Sequence, residues 1–262
     1  MEFTRGESTI AYRDGGWGLP VVLLHAFASD QALWNPQFAA LAGDFRLVAP
    51  DLRGFGESSR TDGKAVSMDE YADDVVALLD YLAIDRAVVG GISLGGYVAL
   101  ALAVRHPARA AGLVLANTRA GADTAEAAAL RETMAADFAA RGAEAVVESY
   151  GDKPFGPDCP EEVKERVRAL IRRQPAAGLA SATRGMACRP DRSGALAALE
   201  LPALVIHGTH DQYIPSAEGV AMHHALRGST YVEIPRAGHL SNVDSPGAFN
   251  AALGGFLATV PR

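Results

Sequence analysis

The sequence predicts an α/β fold: a mostly parallel central sheet covered by helices on both faces, with a helical cap inserted late in the chain. Three observations predict it. Short, almost wholly apolar runs alternate with helix-patterned segments, the signature of a parallel sheet buried on both sides. That alternation stops between residues 120 and 195, where no convincing strand run occurs, and then resumes. Finally, 262 residues with 49% hydrophobic and 21% charged side chains suffice for one large domain with a sizeable core.

Taken in order, Val21-Val22-Leu23-Leu24-His25 is the first apolar run and reads as a central strand. Gln31 to Ala42 reads as a helix, with Leu33, Trp34, Phe38 and Leu41 on its buried face. A second strand, Arg46-Leu47-Val48-Ala49-Pro50, ends at Asp51 and opens the glycine- and charge-rich loop 52–58. Ser67 and Glu70 form a capping-box pattern. The helix they open carries Met68, Ala72, Val75, Leu79 and Leu82 on one stripe. Strand 87–90 follows, then a helix over 96–103 and a strand over 113–116.

Beyond residue 120 the pattern changes. Helices are predicted over Ala122 to Ala140, Glu161 to Arg173 and Leu179 to Ala187, with Pro154, Pro157 and Pro160 breaking the chain between the first two. So long a gap between strands favours an inserted cap, residues 120–195, over helices that merely cover the sheet. The core is then 1–119 and 196–262. Strands are expected again at 203–207 and 230–234, and a last helix from about Pro246 to Leu257.

The segment Gly91-Ile92-Ser93-Leu94-Gly95 carries the most information about chemistry. It lies between a buried strand and a helix, the context in which G-x-S-x-G forms a sharp turn presenting the serine hydroxyl. The glycines remove bulk that would clash in such a turn. The turn also aims the Leu94 N–H, at a helix N-terminus, toward a reacting carbonyl.

A serine hydroxyl is a weak nucleophile at neutral pH, so it needs a base, and the base needs an orienting carboxylate. Of the seven histidines, His239 is the candidate base: it follows the last strand, with a glycine before it, at the sheet end where ligands bind. His210 is too close to Asp211 to face it, His223 and His224 fall on a surface helix, and His106 lies at the wrong end of the sheet. His25 and His207 end strands and read better as hydrogen-bonded structural histidines. Asp211, on the loop after strand 203–207, is the candidate acid, giving the chain order Ser93, Asp211, His239. Asp244 lies too near His239 in sequence, and Asp191 falls in the cap. Oxyanion donors are expected from the Leu94 N–H and from the loop after strand 21–25, with Phe27 as the candidate. One such donor contributes about 3–4 kcal/mol of transition-state stabilisation.

Together these residues resemble the α/β-hydrolase superfamily over nearly the whole chain. His25-Ala26-Phe27 is similar to that family's His-Gly-X oxyanion segment, with Ala26 in place of the usual glycine. Asp51-Leu52-Arg53-Gly54-Phe55-Gly56-Glu57-Ser58 is similar to its D-x-R-G-x-G-x-S loop, in which Asp51 and Arg53 would be structural. The segments Leu115–Ala120 and Gly238–Asn242 look most like small esterases and 3-oxoadipate enol-lactonase-like hydrolases. The resemblance implies a serine hydrolase acting on a carboxylic ester or lactone. It equally allows carbon–carbon bond hydrolysis or cofactor-free perhydrolysis on the same three residues. A ligand-binding receptor using a hydrolase-like pocket is an alternative of another class.

Other chemistries find little support. A net charge of −7 argues against nucleic acid as a partner. No H-E-x-x-H or paired-cysteine spacing suggests a metal, and no G-x-G-x-x-G opens a helix after the first strand, so no cofactor is expected. The elbow holds serine rather than the aspartate of dehalogenases. No apolar run is long enough to span a bilayer, and the N-terminal residues lack a basic-then-apolar pattern. Cys159 and Cys188 make no disulfide framework, so a reduced, cytoplasmic chain is expected, with a small ester or lactone as its ligand and self-association left open. The cap candidates for the pocket wall are Met134, Phe138, Tyr150 and Phe155, which fit the cap's own core equally well. An apolar pocket favouring small, mostly uncharged substrates is the expectation.

Overall fold

A computed structural model describes residues 1–6 and 8–261. Its strands are β1 (Glu2–Arg5), β2 (Ser8–Gly15), β3 (Pro20–Leu24), β4 (Arg46–Pro50), β5 (Ala87–Ile92), β6 (Ala110–Ala116), β7 (Ala203–Gly208) and β8 (Thr230–Ile234). They form one sheet in the order β1-β2-β4-β3-β5-β6-β7-β8. From β4 to β8 every pairing is parallel, whereas β2 runs antiparallel to both β1 and β4. Every residue of β5 is buried. Because successive side chains point to opposite faces, this requires helices on both sides of the sheet centre.

The helices are α1 (Asn35–Leu41), α2 (Met68–Tyr81), α3 (Leu94–Arg105), α4 (Ala125–Arg141), α5 (Ala143–Tyr150), α6 (Glu161–Arg172), α7 (Ala176–Ala187), α8 (Ser216–Ala225), α9 (Ser241–Asp244) and α10 (Pro246–Leu257). The capping box predicted for α2 is present: the Glu70 N–H donates to Ser67 Oγ, and Glu70 Oε2 accepts from the Ser67 N–H at 2.8 Å. Helix α3 is buried on nearly every side up to Ala103, as suits its apolar sequence between sheet and α2 before the terminal Arg105. No helix among the described residues is long and apolar enough to cross a membrane.

Three departures from the predicted elements have physical causes. The β1–β2 pair was not anticipated, because β2 (STIAYRDG) lies near the sheet edge and mixes buried and solvated positions. It lacks the continuous apolar run that marks an interior strand. The segment predicted as one helix over 31–42 is a 3₁₀ turn, Gln31–Trp34, followed by α1. Pro36 has no N–H and fits only in a helix's first turn, so the α-helix starts at Asn35. Helix α5 was missed because it follows α4 directly, with only Gly142 (φ +69°) redirecting the chain between them.

Helices α4 to α7 occupy the stretch between β6 and β7, with α4 against α7 and α5 against α6. Helix α7 lies on the loops that follow β4. A Cβ at Gly178 would overlap the Gly54 carbonyl oxygen, and one at Gly185 would overlap that of Val66. The C-terminal end of α6 is tied down at Asp30, whose carboxylate accepts from Arg173 and from Gln174 Nε2 at 2.8 Å.

Candidate active site

Ser93 joins β5 to α3 with φ +55° and ψ −114°, a backbone conformation that non-glycine residues rarely adopt. The surroundings hold it there. The Ser93 N–H donates to Ala116 O at 3.0 Å, and the Ser93 carbonyl accepts from the N–H groups of Gly96 and Tyr97 and from Thr118 Oγ1. A Cβ at Gly91 would run into the backbone of Gly95, and one at Gly95 into the carbonyl of Leu24. Both glycines of the motif are therefore demanded by close approach. Ser93 occupies the helix N-cap position, yet its side chain makes no capping hydrogen bond. Its hydroxyl stays free and faces a cavity.

His239 faces the same cavity. Its Nδ1 lies 2.8 Å from Asp211 Oδ2. The Nδ1–H donates to that carboxylate, which leaves Nε2 as the basic nitrogen. Asp211 itself is heavily engaged. Its Oδ1 accepts from the N–H groups of Tyr213 at 2.8 Å and Ile214 at 3.0 Å, and its Oδ2 also accepts from Asn117 Nδ2 at 3.0 Å. Burial opposes its ionisation. The facing His239, with hydrogen bonds from His207, His239 and Asn117, outweighs burial and holds the carboxyl well below the usual carboxylate range. The structure thus brings His239 and Asp211 into direct contact and sets Ser93 on the same cavity. Ser93 Oγ makes no hydrogen bond with the described residues.

The two candidate oxyanion donors, the N–H groups of Phe27 and Leu94, have no hydrogen-bond partner among the described residues. At Leu94 this follows from its place in the first turn of α3. In the loop after β3 the left-handed residue is Ala28, with φ +58°, while Ala26 has an ordinary φ. An alanine at position 26 is therefore sterically acceptable here.

Of the six remaining histidines, His25, His207, His106 and His223 have hydrogen-bond partners of their own. His25 donates from Nδ1 to Ala26 O and accepts from the Leu52 N–H at Nε2, and burial lowers its basicity. His207 is buried, with Nε2 at 2.8 Å from Ile214 O. His106 bonds Asp73 and His223 bonds Ser229, both away from the cavity. Asp51 accepts from the N–H groups of Gln31 and Glu57, and Arg53 pairs bidentately with Asp74; both brace their loop. Cys159 and Cys188 are unpaired, and burial together with a hydrogen bond to Asp244 pushes the Cys159 thiol up to about 12.

Sequence reasoning missed three kinds of residue at this site. Asn117, at φ +44° and fully buried, bridges the loops: besides Asp211 it donates to Gly238 O, and its Oδ1 accepts from Ser241 Oγ at 2.6 Å. Asp244, discounted as an acid, instead accepts from the N–H groups of Gly238 and Gly156 and so ties the His239 loop to the segment before α6. The signal for Asn117 was only its place at the end of an apolar strand. The third kind is the cavity wall. The cavity measures about 130 Å³. Met134 and Tyr150 contribute to it as anticipated, whereas Phe138 packs behind, its ring 5.9 Å from Phe27, and Phe155 is core. Tyr213 stands edge-on to the His239 ring at 5.2 Å. The wall also holds Arg119 and Arg131 among its mostly apolar and aromatic residues, so it is charged in part rather than uniformly apolar.

An eight-stranded sheet with a serine on a strained strand–helix turn, and a histidine–carboxylate pair on the loops after β7 and β8, defines a class. The chain belongs to the alpha/beta hydrolase fold family, which residues 20–246 match. It is 30% identical over 245 residues to 3-oxoadipate enol-lactonase 1 of Acinetobacter baylyi, covering 92% of this chain and 89% of that protein. Among solved structures it resembles a thermophilic esterase from Thermogutta terrifontis with malate bound, at TM-score 0.95 and 38% identity, covering 98% of this chain and 96% of the other. It also resembles the enol-lactonase from Burkholderia xenovorans LB400, at TM-score 0.89 and 30% identity, covering 98% and 100%.

Proposed function

We propose that this protein is a serine hydrolase of carboxylic esters or lactones, with Ser93 as nucleophile, His239 as general base and acid, and Asp211 as the carboxylate that orients it. The carrying observation is the His239–Asp211 contact at 2.8 Å on a cavity that also exposes an unbonded Ser93 hydroxyl. The enol-lactonase and esterase relatives support the substrate class.

The chemistry follows from these positions. Ser93 Oγ attacks the substrate carbonyl while His239 Nε2 takes its proton. The resulting oxyanion receives hydrogen bonds from the N–H groups of Phe27 and Leu94. Asp211, kept ionised by its partners, stabilises the imidazolium through Nδ1–H. The imidazolium returns the proton to the leaving alkoxide, and the C–O bond breaks to give an acyl-serine. His239 then draws a proton from water, the hydroxide attacks the acyl carbonyl, and Ser93 leaves with that proton. Helices α4 to α7 act as a cap that forms the cavity roof and limits water during acylation.

The test is twofold. Wild-type protein should turn over short activated esters or simple lactones and be labelled on Ser93 by a fluorophosphonate, read by intact mass and peptide mapping. Ser93→Ala should fold normally, resist labelling and lose up to about a millionfold in kcat, because the three residues act as a unit. Near-normal hydrolysis by folded Ser93→Ala would overturn the assignment. A single stoichiometric release without cycling would favour the receptor reading.

A further inference from the structure

We propose that the hydroxyl of Tyr213, with that of Tyr150 beside it, is a specificity element: it donates a hydrogen bond to an uncharged oxygen, of a ketone or an ether, that the substrate carries in addition to its scissile ester or lactone. The proposal rests on the hydrolytic reading for the reaction, but its binding arm does not.

Tyr97, Tyr150 and Tyr213 line the cavity together with Ser93 and His239. Tyr213 Oη is buried and has no hydrogen-bond partner among the described residues. The hydroxyls of Tyr97 and Tyr150 make no hydrogen bond with those residues either. Other polar side chains of the lining have partners within the protein. Thr183 Oγ1 donates to Leu179 O at 2.7 Å. Arg119 and Arg131 both pair with Asp123, and Arg189 behind them pairs with Asp123 and lies beside Asp191. The positive charge on that side of the cavity is thus largely met inside the protein, and the phenols stand out as neutral donors without an acceptor.

The Tyr213 ring is not free to turn toward a partner elsewhere. Its backbone N–H donates to Asp211 Oδ1 at 2.8 Å, which ties the residue to the loop carrying the acid. The ring is held between two others, 5.2 Å from His239 and 5.4 Å from Tyr150. The hydroxyl therefore keeps a fixed place relative to the histidine that handles the proton. Burial pushes the pKa of both phenols upward, so both stay protonated and present O–H donors. A buried O–H without an acceptor is costly, and a substrate oxygen lying in the cavity would complete it. A purely alkyl substrate leaves it unpaired in the complex, so the site discriminates against chains that lack the oxygen. A cavity of about 130 Å³ leaves room for only a few atoms between that oxygen and the reacting carbonyl.

Two pairs of neutral esters place the oxygen on either side of the scissile bond, each against the chain with a methylene in its place. On the acyl side, methyl 4-oxopentanoate is set against methyl pentanoate. On the alcohol side, 2-methoxyethyl acetate is set against butyl acetate. Each kcat/KM is divided by that ester's rate constant with hydroxide, which removes differences in intrinsic reactivity. Wild type should favour the oxygenated member of at least one pair by about fivefold or more, and Tyr213→Phe should bring that ratio close to one. Tyr150→Phe should lower it in part. Tyr213→Phe should also melt no lower than wild type, because it removes a donor that the fold itself does not satisfy. Separately, methyl 4-oxopentanoate or 2-methoxyethyl acetate should raise the melting temperature of Ser93→Ala protein more than its alkyl counterpart does, and adding Tyr213→Phe should abolish the difference.

A ratio near one in both pairs, or a ratio that Tyr213→Phe leaves unmoved, would overturn the proposal while leaving the hydrolase reading intact. A Tyr213→Phe protein that melts well below wild type would show that the hydroxyl serves the fold, and would overturn it as well. A Tyr213-dependent rise in melting temperature without turnover of any ester would sustain the binding role and sink the hydrolase reading.

Discussion

Asn117 shows how much of the site depends on one side chain that does no chemistry. It holds Asp211 Oδ2 and the carbonyl before His239 with one amide nitrogen, while Ser241 occupies its oxygen. In Asn117→Ala the acid loses a donor and the two loops lose their bridge. On the proposed mechanism, misplacing the Asp211–His239 pair by a fraction of an ångström is costly, so kcat on a short activated ester should fall about 10- to 100-fold with KM changed far less. Stability should also drop, by about 1–3 kcal/mol, because Ser241 Oγ is left buried without its acceptor and alanine tolerates φ +44° poorly. Ser241→Ala is the control, since it breaks only the Ser241 bond. Urea melts and steady-state kinetics on both variants decide the matter. If Asn117→Ala loses stability but keeps wild-type kcat, Asn117 is a scaffold residue and nothing more. The strained turn at Ser93 and the pairing of Asp211 with His239 were legible in the sequence because local turn chemistry and chain order constrain them. Asn117 was not, because its partners lie 94 and 121 residues away and only the parallel pairing of β6 with β7 and of β7 with β8 brings them together.

Among the elements, α7 and the end of α6 fix α4 to α7 onto the sheet. Gly178 and Gly185, seven residues apart on α7, bring that helix's backbone into contact with the Gly54 and Val66 carbonyls. Gly178→Ala places a methyl group against a backbone oxygen that cannot rotate away, so α7 must lift. A loss of about 1–3 kcal/mol is expected for overpacking of this kind, seen as a lower melting temperature. Proteolysis within 120–195 should also speed up. Unchanged melting and protease resistance would show that the helix accommodates the methyl by sliding. The latch at Asp30 works differently. Its carboxylate caps the 3₁₀ turn through the Ala32 N–H and accepts from Arg173 and Gln174. The elements that were legible, such as β5, α2 and α3, carry strong local signals: an apolar run, a capping box and a glycine-flanked turn. Of those that were not, β1 and α5 are short, while β2 is long but lies toward the edge of the sheet and mixes buried with solvated positions. The arginine wall escaped notice for a further reason. Arg119 and Arg131 come from a loop and a helix, twelve positions apart, and look like ordinary surface charges until Asp123 gathers them.

At the scale of the whole molecule, three buried or half-buried carboxylates govern the response to acid. Burial pushes the pKa of Asp30, Asp123 and Asp211 upward, yet Arg173 at the first, Arg189 and Arg131 at the second, and His239 at the third draw each below its ordinary value. A depressed folded pKa means stability that is fully present above the unfolded value, near 4, and is lost as pH falls through the folded values. The urea midpoint should therefore decline progressively below about pH 4, and Asp30→Asn should narrow that decline while lowering the midpoint at pH 7. A midpoint that Asp30→Asn leaves unchanged at both ends would remove the Asp30–Arg173 latch from the account. The cavity sets the other global property, which follows from the proposed function. Phe27, Tyr150 and Tyr213 form a connected aromatic wall, with rings 6.4 Å and 5.4 Å apart, and the space they enclose is about 130 Å³. An acyl chain beyond a few carbons must displace this wall, and forcing extra methylenes into a filled site costs about 1–3 kcal/mol, more than the roughly 0.8 kcal/mol gained per buried methylene. The value of kcat/KM should therefore peak at short acyl chains and fall for longer ones. Tyr150 comes from α5, and none of the three reacting residues does. Replacing it with alanine opens the wall without touching Ser93, Asp211 or His239, so the optimum should move to longer chains while the shape of the pH–rate profile stays the same. A series of p-nitrophenyl esters from acetate to octanoate, run on wild type and Tyr150→Ala, reads both quantities. If every ester falls by one common factor, α4 to α7 do not select substrates, and the size limit lies in the core loops.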